Sequence, residues 1–110
     1  MTYNGWKNYE TWCVNLWLIN EEPSQRYWSE TAIEVYQETE PTQVSTKLEA
    51  ARYELADRLK DAVEEGNPLA DGASMYSDLL QAAMREVDWD RISELLIEGS
   101  IEELTSETSE

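Results

Sequence analysis

The chain has 110 residues, of which 24 are acidic, 8 are basic and none is histidine, and its formal net charge is −16. This length suits one domain with a single core, and a hydrophobic fraction of 41% argues against disorder along the whole chain. The charge argues against direct binding to nucleic acid or to an anionic membrane. A single cysteine, no signal peptide and no long apolar run lead us to expect a cytoplasmic protein.

The first predicted helix covers residues 8–20, with Asn8 as its N-cap. Apolar residues surround this helix except along a narrow polar strip formed by Glu10, Thr11 and Asn15. A helix that is apolar nearly all round belongs inside a protein, so we expect this one to be the central element of the core.

The second and third predicted helices each carry one apolar face. Ser24 caps the second, which ends near Thr39 and turns inward Trp28, Ala32, Val35 and Tyr36. Thr42 or Ser45 opens the third, which ends before Gly66 and turns inward Val44, Leu48, Ala51, Leu55, Leu59 and Ala62. The same face would suit a dimer seam, but three heptads are few and we expect it to pack in the core.

Two shorter helices complete the predicted fold. Ser74 caps the fourth, whose inward residues are Met75, Leu79, Leu80, Ala83, Met84 and Val87. Asp88 caps the fifth, which turns inward Trp89, Ile92, Leu95 and Leu96. It is expected to end at Gly99, although Ile101 and Leu104 could add one further turn. No useful length of the sequence alternates like a strand. We therefore predict an all-α fold, a compact single-domain bundle of about five helices over residues 1–105, with a frayed acidic tail over 106–110.

The acidic residues are unevenly distributed, and residues 86–110 hold nine acids and one base. Two rows repeat at intervals of four residues: Glu30, Glu34 and Glu38 in the second helix, and Asp90, Glu94 and Glu98 in the fifth, followed by Glu102 and Glu103. Like charges at this spacing cost about 0.2–0.5 kcal/mol per pair, so their retention indicates a use.

Four residues advance by about 6 Å along a helix, which is close to the spacing of neighbouring phosphates along a nucleic-acid strand. We predict that the two rows imitate phosphates towards the basic groove of a nucleic-acid-binding protein. Two alternatives are left open: solvated outer faces that serve solubility, and adaptation to a saline cytoplasm. The excess of Glu over Asp argues against the second alternative. Two copies would double the negative surface, and a homodimer is left open.

The sequence argues against an enzyme. Without histidine, the chain lacks the usual base for a serine or cysteine nucleophile and the usual ligand for a transition metal. Cys13 lies on an almost wholly apolar helix, so we expect an inert buried thiol. No pair of carboxylates stands out as a glycoside-cleaving or magnesium-binding pair. We expect neither a cofactor nor a metal.

Residues 3–12 are dense in tyrosine and tryptophan. We expect this segment mainly to clamp the start of the first helix and to build the core. The alternative is an exposed aromatic patch that docks a protein partner, with the acidity serving solubility.

The segment from Asn4 to Leu18 reads Asn-Gly-Trp-x-Asn-Tyr-Glu-Thr-Trp-x-Val-x-Leu-Trp-Leu. It resembles the opening of small uncharacterised proteins from tailed phages, plasmids and some archaea, and residues 77–80 and 87–96 resemble their closing segment. The resemblance implies that the gene belongs to a mobile element, and small acidic proteins of such elements are often counter-defence factors. The resulting hypothesis is an inhibitor that binds the DNA-reading groove of a host restriction or CRISPR protein.

Overall fold

The structure is a computed structural model that describes residues 2–108, with side chains as far as Glu103. Its elements are α1 (Tyr9–Asn20), α2 (Glu22–Glu38), α3 (Lys47–Glu65), α4 (Met75–Arg85) and α5 (Trp89–Thr108). Within residues 2–108 the β structure is limited to an isolated bridge between Tyr3 and Trp6. The prediction of an all-α single domain with five helices is confirmed.

The core lies between α2, α3 and α5, which pack against one another, while α1 packs across α2 and α5. Its buried residues are Trp28, Ala32, Val35, Ala51, Leu55, Leu59, Val87, Ile92 and Ile97. The predicted inward face of α2 is therefore confirmed. On α3 the prediction is confirmed for Ala51, Leu55 and Leu59 and is wrong for Leu48 and Ala62, which are exposed near the two ends of the helix. The heptad-like face of α3 is used inside the domain and is not free to form a dimer seam.

Two helix starts differ from the prediction. Only Glu21 separates α1 from α2, because proline is tolerated in a first helical turn and Pro23 therefore does not delay α2. The start of α3 is fixed by a capping box. The Thr46 side chain accepts a hydrogen bond from the backbone N–H of Glu49, and the Glu49 side chain accepts one from the backbone N–H of Thr46. Val44 consequently lies outside the helix and is 91% exposed, so its predicted place in the core is wrong.

The fourth helix contributes less to the core than its pattern predicts. Ser74 caps it as expected, but Met75 and Leu79 are 65% and 62% exposed. Because α4 lies at the edge of the bundle, only the side that carries buried Ser77 faces the rest of the protein. Periodicity identified the apolar face of α4 but not how much of it is covered.

The fifth helix passes through Gly99 and continues to Thr108, so the predicted end at Gly99 is wrong and the further turn through Ile101 and Leu104 is present. A glycine inside a helix costs about 1 kcal/mol, and burial of Ser100 together with packing of Ile101 on the core keeps the next turn helical. The backbone of the predicted tail is helical at residues 106–108. Residues 109 and 110 lie outside the described residues.

The orientation of α1 is the largest departure from the prediction. Its single buried residue is Thr11, which belongs to the predicted polar strip. Val14 and Leu18 pack on the core beside it, whereas Trp17 is 65% exposed. The helix is therefore a flanking element, and the prediction that it forms the centre of the core is wrong.

A hydrogen-bond cluster explains this orientation. Asn8 Oδ1 accepts from Thr11 N at 2.9 Å and from Thr11 Oγ1 at 2.6 Å, and Asn8 Nδ2 donates to the Glu86 carbonyl at 2.7 Å. Thr11 Oγ1 accepts from the backbone N–H of Asp88 at 2.9 Å, while the Asp88 side chain caps α5 by accepting from Arg91 N. We call Asn8, Thr11, Glu86 and Asp88 the polar clamp. It joins the two sequence segments that carry the family resemblance.

Candidate functional site

The predicted carboxylate row on α2 lies on the solvent side of that helix. Glu30, Glu34 and Glu38 are all exposed. The buried side is formed by Trp28, Ala32 and Val35, which about 100° per residue places on the opposite side. None of the four ion pairs among the described residues involves the row. The α2 row therefore presents negative charge to solvent without a paired cation.

The corresponding row on α5 is interrupted at its centre. Glu94 is half-buried and accepts a hydrogen bond from Arg52 Nη1 of α3 at 2.9 Å, while Arg91 pairs with its other carboxylate oxygen. Asp90 lines a groove that holds three cationic residues and three further acids: Lys7, Lys60, Arg85, Asp57, Glu86 and Asp88. Asp90 and Glu98 are both exposed and free of ion pairs among the described residues, so only the central member of the row is neutralised. The three acids share a spacing, but they do not form one free row.

The electrostatics of Glu94 agree with its pairing to Arg52 and Arg91. The hydrogen bond from Arg91, and the charges of Arg91 and Arg52, lower the pKa of the Glu94 carboxyl, against an opposing effect of burial. Because the pKa of Glu94 is lower in the folded state, the ionised carboxylate stabilises the folded state at pH values above its ordinary pKa of 4.5. This stabilisation is lost as the pH falls through the folded-state pKa.

A Glu94→Gln variant tests this linkage. We expect it to be less stable than the wild type at pH 7, and the difference in unfolding free energy to shrink as the pH falls below 4.5. Urea unfolding over a pH series measures the difference. In an Arg91→Gln background the same substitution should cost less, because the first partner of Glu94 is gone. A difference that stays constant with pH would show that the pairing does not matter.

The remaining predicted acids lie near the other end of α5. Glu98, Glu102 and Glu103 are exposed. Glu103 lines one groove together with Glu30 of α2, which places carboxylates of both helices on its two sides. We call the α2 row together with Glu98, Glu102 and Glu103 the acidic surface.

A further row was missed in the sequence. Asp57, Asp61 and Glu65 repeat at the same interval on α3 and are all exposed. Arg58 and Lys60 lie among these three acids, so α3 has a small net charge and the row did not stand out in the numbers of acids and bases along the chain. Arg58 pairs with Glu54 at 3.1 Å and not with this row. The α3 row is a natural comparison for the α2 row.

The outer side of α1 is apolar and faces solvent. We call it the aromatic face, which consists of Tyr3, Tyr9, Trp12, Cys13, Leu16, Trp17 and Ile19. Tyr3 packs against Tyr9 and Trp12, with ring centroids 5.2 and 4.8 Å apart. Cys13, half-buried and not buried as predicted, raises the pKa of the neighbouring Tyr9 phenol. Within the aromatic segment it is Trp6 that packs on the core, so the prediction that this segment mainly builds the core holds only in part.

Two searches of the described residues concern other kinds of site. Among the side chains that the structure describes, as far as Glu103, no group of three or more Cys, Asp or Glu is placed to bind a metal ion. No helix in that part of the chain has the length and apolar character needed to cross a membrane.

The chain was compared with known proteins. The model of a family of unknown function, DUF7249, matches residues 1–110. No curated protein matches the chain, and no solved structure matches it.

Proposed function

The chain belongs to DUF7249, and we propose that it is an acidic inhibitor, encoded by a mobile element, that binds the nucleic-acid-binding surface of a host defence protein. The observation that carries the proposal is the α2 row. Its three carboxylates are exposed and free of ion pairs among the described residues. The resemblance of the N-terminal motif to small phage and plasmid proteins supports a restriction or CRISPR protein as the target class.

The packing of α2 holds the row in a fixed geometry. Trp28 is 7% exposed and Val35 is 1% exposed on the opposite side of the helix, so α2 is anchored along its length. Successive members of the row are about 6 Å apart along the helix axis. A groove whose Lys and Arg side chains bind a phosphate row meets similar charges at a similar spacing, and rigidity lowers the entropic cost of binding.

The proposed contact surface is smaller than the sequence suggests. Glu94 is neutralised by two arginines, and it separates Asp90 from the exposed acids further along α5. We therefore assign the phosphate-imitating role to the α2 row together with Glu98, Glu102 and Glu103. In this proposal Glu94 stabilises the packing of α3 on α5 and does not contact the partner.

The test is a charge reversal of the α2 row, with displacement of labelled duplex DNA from a restriction endonuclease or CRISPR effector as the measurement. We expect the wild type to displace the DNA and the Glu30→Lys/Glu34→Lys/Glu38→Lys variant to do so at least about tenfold less well. Exposed attractions of about 0.2–1 kcal/mol each become repulsions of similar size. Displacement by the wild type should weaken between about 50 and 200 mM salt.

The matched control reverses the α3 row, as Asp57→Lys/Asp61→Lys/Glu65→Lys. It changes the same number of charges at the same helical spacing, so both variants have the same net charge. We expect this control to displace DNA within about threefold of the wild type, a difference of about 0.7 kcal/mol or less. Equal losses in both variants would show that overall charge, not the α2 row, is responsible. Failure of the wild type to displace DNA at low salt would refute the proposal.

A further inference from the structure

The aromatic face is an apolar surface most of which has no partner in the described part of the chain, while at its edge Ile19 lines a groove with Leu95 and Leu96 of α5. At about 100° per residue, its helical members occupy adjoining directions, opposite the inward-facing Thr11, Val14 and Leu18. Trp17 is 65% exposed and Tyr9 is 51% exposed. Exposed apolar patches of this kind mark interaction sites in soluble proteins.

The aromatic side chains of this face hold one another in place. Tyr9 and Trp12 lie with ring centroids 5.5 Å apart, and Tyr3 packs on both. The Tyr3 backbone is fixed by two hydrogen bonds to Trp6, of 2.7 and 2.8 Å. Because these rings are already ordered, little side-chain entropy is lost when the face is covered.

The charge distribution identifies what can cover this face. Residues 1–20 hold one acid, Glu10, and one base, Lys7, so the side chains of this segment carry no net charge. The whole side-chain charge of −16 therefore belongs to the rest of the chain. A basic partner is attracted to the acidic surface, whereas a second copy of the chain is repelled there. No member of the aromatic face is charged, so another copy meets less repulsion there than at the acidic surface.

We propose that the aromatic face is a self-complementary interface that joins two copies of this chain about a twofold axis. An interface of this type uses the same patch on both subunits. The dimer would leave the α2 row of each copy outside the interface, because no member of that row belongs to the aromatic face. The inference does not depend on the proposed function and goes beyond it.

The available area agrees with a modest dimer. Tyr and Trp side chains bury about 150–250 Å² each when they are fully covered. Tyr3, Tyr9 and Trp17 are 39%, 51% and 65% exposed, so covering all three completely buries about 230–390 Å² per copy. Leu16 and Ile19 add to this area, and the total for two copies reaches at most about 1,000 Å², the lower limit for a specific interface.

Sedimentation equilibrium at increasing salt tests the proposal. We expect a reversible dimer whose dissociation constant falls as salt rises, because salt screens the repulsion between two acidic copies. Binding of the acidic surface to a basic partner has the opposite salt dependence. The two salt responses therefore allow this proposal and the proposed function to fail separately.

Trp17→Ala and Tyr76→Ala form a matched pair for the same measurement. Both residues are exposed aromatics, at 65% and 67%, but Tyr76 lies on α4. We expect Trp17→Ala to raise the dissociation constant at least about tenfold, as for a central aromatic contact, and Tyr76→Ala to change it less than about twofold, or 0.4 kcal/mol.

Crosslinking at Cys13 gives an independent readout. Cys13 is the single cysteine of the chain and lies near the middle of α1, so a twofold axis there brings two Cys13 thiols together. We expect a short bismaleimide to yield a crosslinked dimer in the wild type and much less in Trp17→Ala. A wild type that is monomeric at about 0.5 mM protein and high salt, or equal effects of the two alanine variants, would overturn the proposal.

Discussion

A Leu55→Ala substitution should lower the free energy of unfolding by about 3–5 kcal/mol. Leu55 lies on α3 and is 0% exposed, in the core that α3 forms with α2 and α5. Truncation removes apolar contacts and leaves a cavity, because the surrounding helices relax only partly. Urea unfolding followed by circular dichroism measures the change.

The control for this prediction is Leu79→Ala on α4, where the leucine is 62% exposed. We expect that substitution to change stability by less than about 0.5 kcal/mol. If Leu55→Ala proves too unstable to purify, Leu55→Met should fold and lose less than about 1.5 kcal/mol, because it conserves volume. Similar costs for the Leu55 and Leu79 truncations would contradict the assignment of the core.

The sequence predicted the core best in the central turns of α2 and α3, where each helix has one clear apolar face. The residues recurring there at three- and four-residue intervals are buried, namely Trp28, Ala32, Ala51, Leu55 and Leu59. Such a pattern predicts orientation because only one side of the helix can be buried favourably. The starts and ends of the helices were less predictable, since Pro23 and Gly99 are both tolerated inside a helix here.

The orientation of α1 could not be predicted from periodicity. Apolar residues surround the helix, so no direction stands out as inward. The deciding contact joins Thr11 to the backbone N–H of Asp88, which lies 77 residues away. A buried hydroxyl with two hydrogen bonds fixes the helix, and the more apolar side is left outside.

At the candidate site, the sequence predicted which acids share a helix face but not which of them form ion pairs. A four-residue interval predicted which carboxylates share a helix face, and the α2 row has the predicted exposure. Pairing depends on neighbouring helices, and Glu94 meets Arg52 only because α3 packs against α5. Spacing alone therefore distinguishes acids that share a face, but not free acids from those held by a distant arginine.

A Thr11→Val substitution should lower the free energy of unfolding by about 2–3 kcal/mol. Valine has nearly the shape of threonine but no hydroxyl, so it removes the bonds from Thr11 Oγ1 to Asn8 and from Asp88 N to Thr11. Since Thr11 is 0% exposed, water cannot replace the lost partner of the Asp88 N–H, and an unsatisfied buried donor is costly.

The loss should be specific to the polar clamp. Thr31→Val is the control, because the Thr31 hydroxyl binds only the Tyr27 carbonyl of its own helix, at 2.7 Å, and we expect a cost below about 0.5 kcal/mol. The double variant Asn8→Ala/Thr11→Val should lose less free energy of unfolding than the sum of the losses in the two single variants, since both changes act on one hydrogen-bond cluster. Equal costs for Thr11→Val and Thr31→Val would show that the clamp does not hold α1 in place. The aromatic face would then owe its exposure to packing alone.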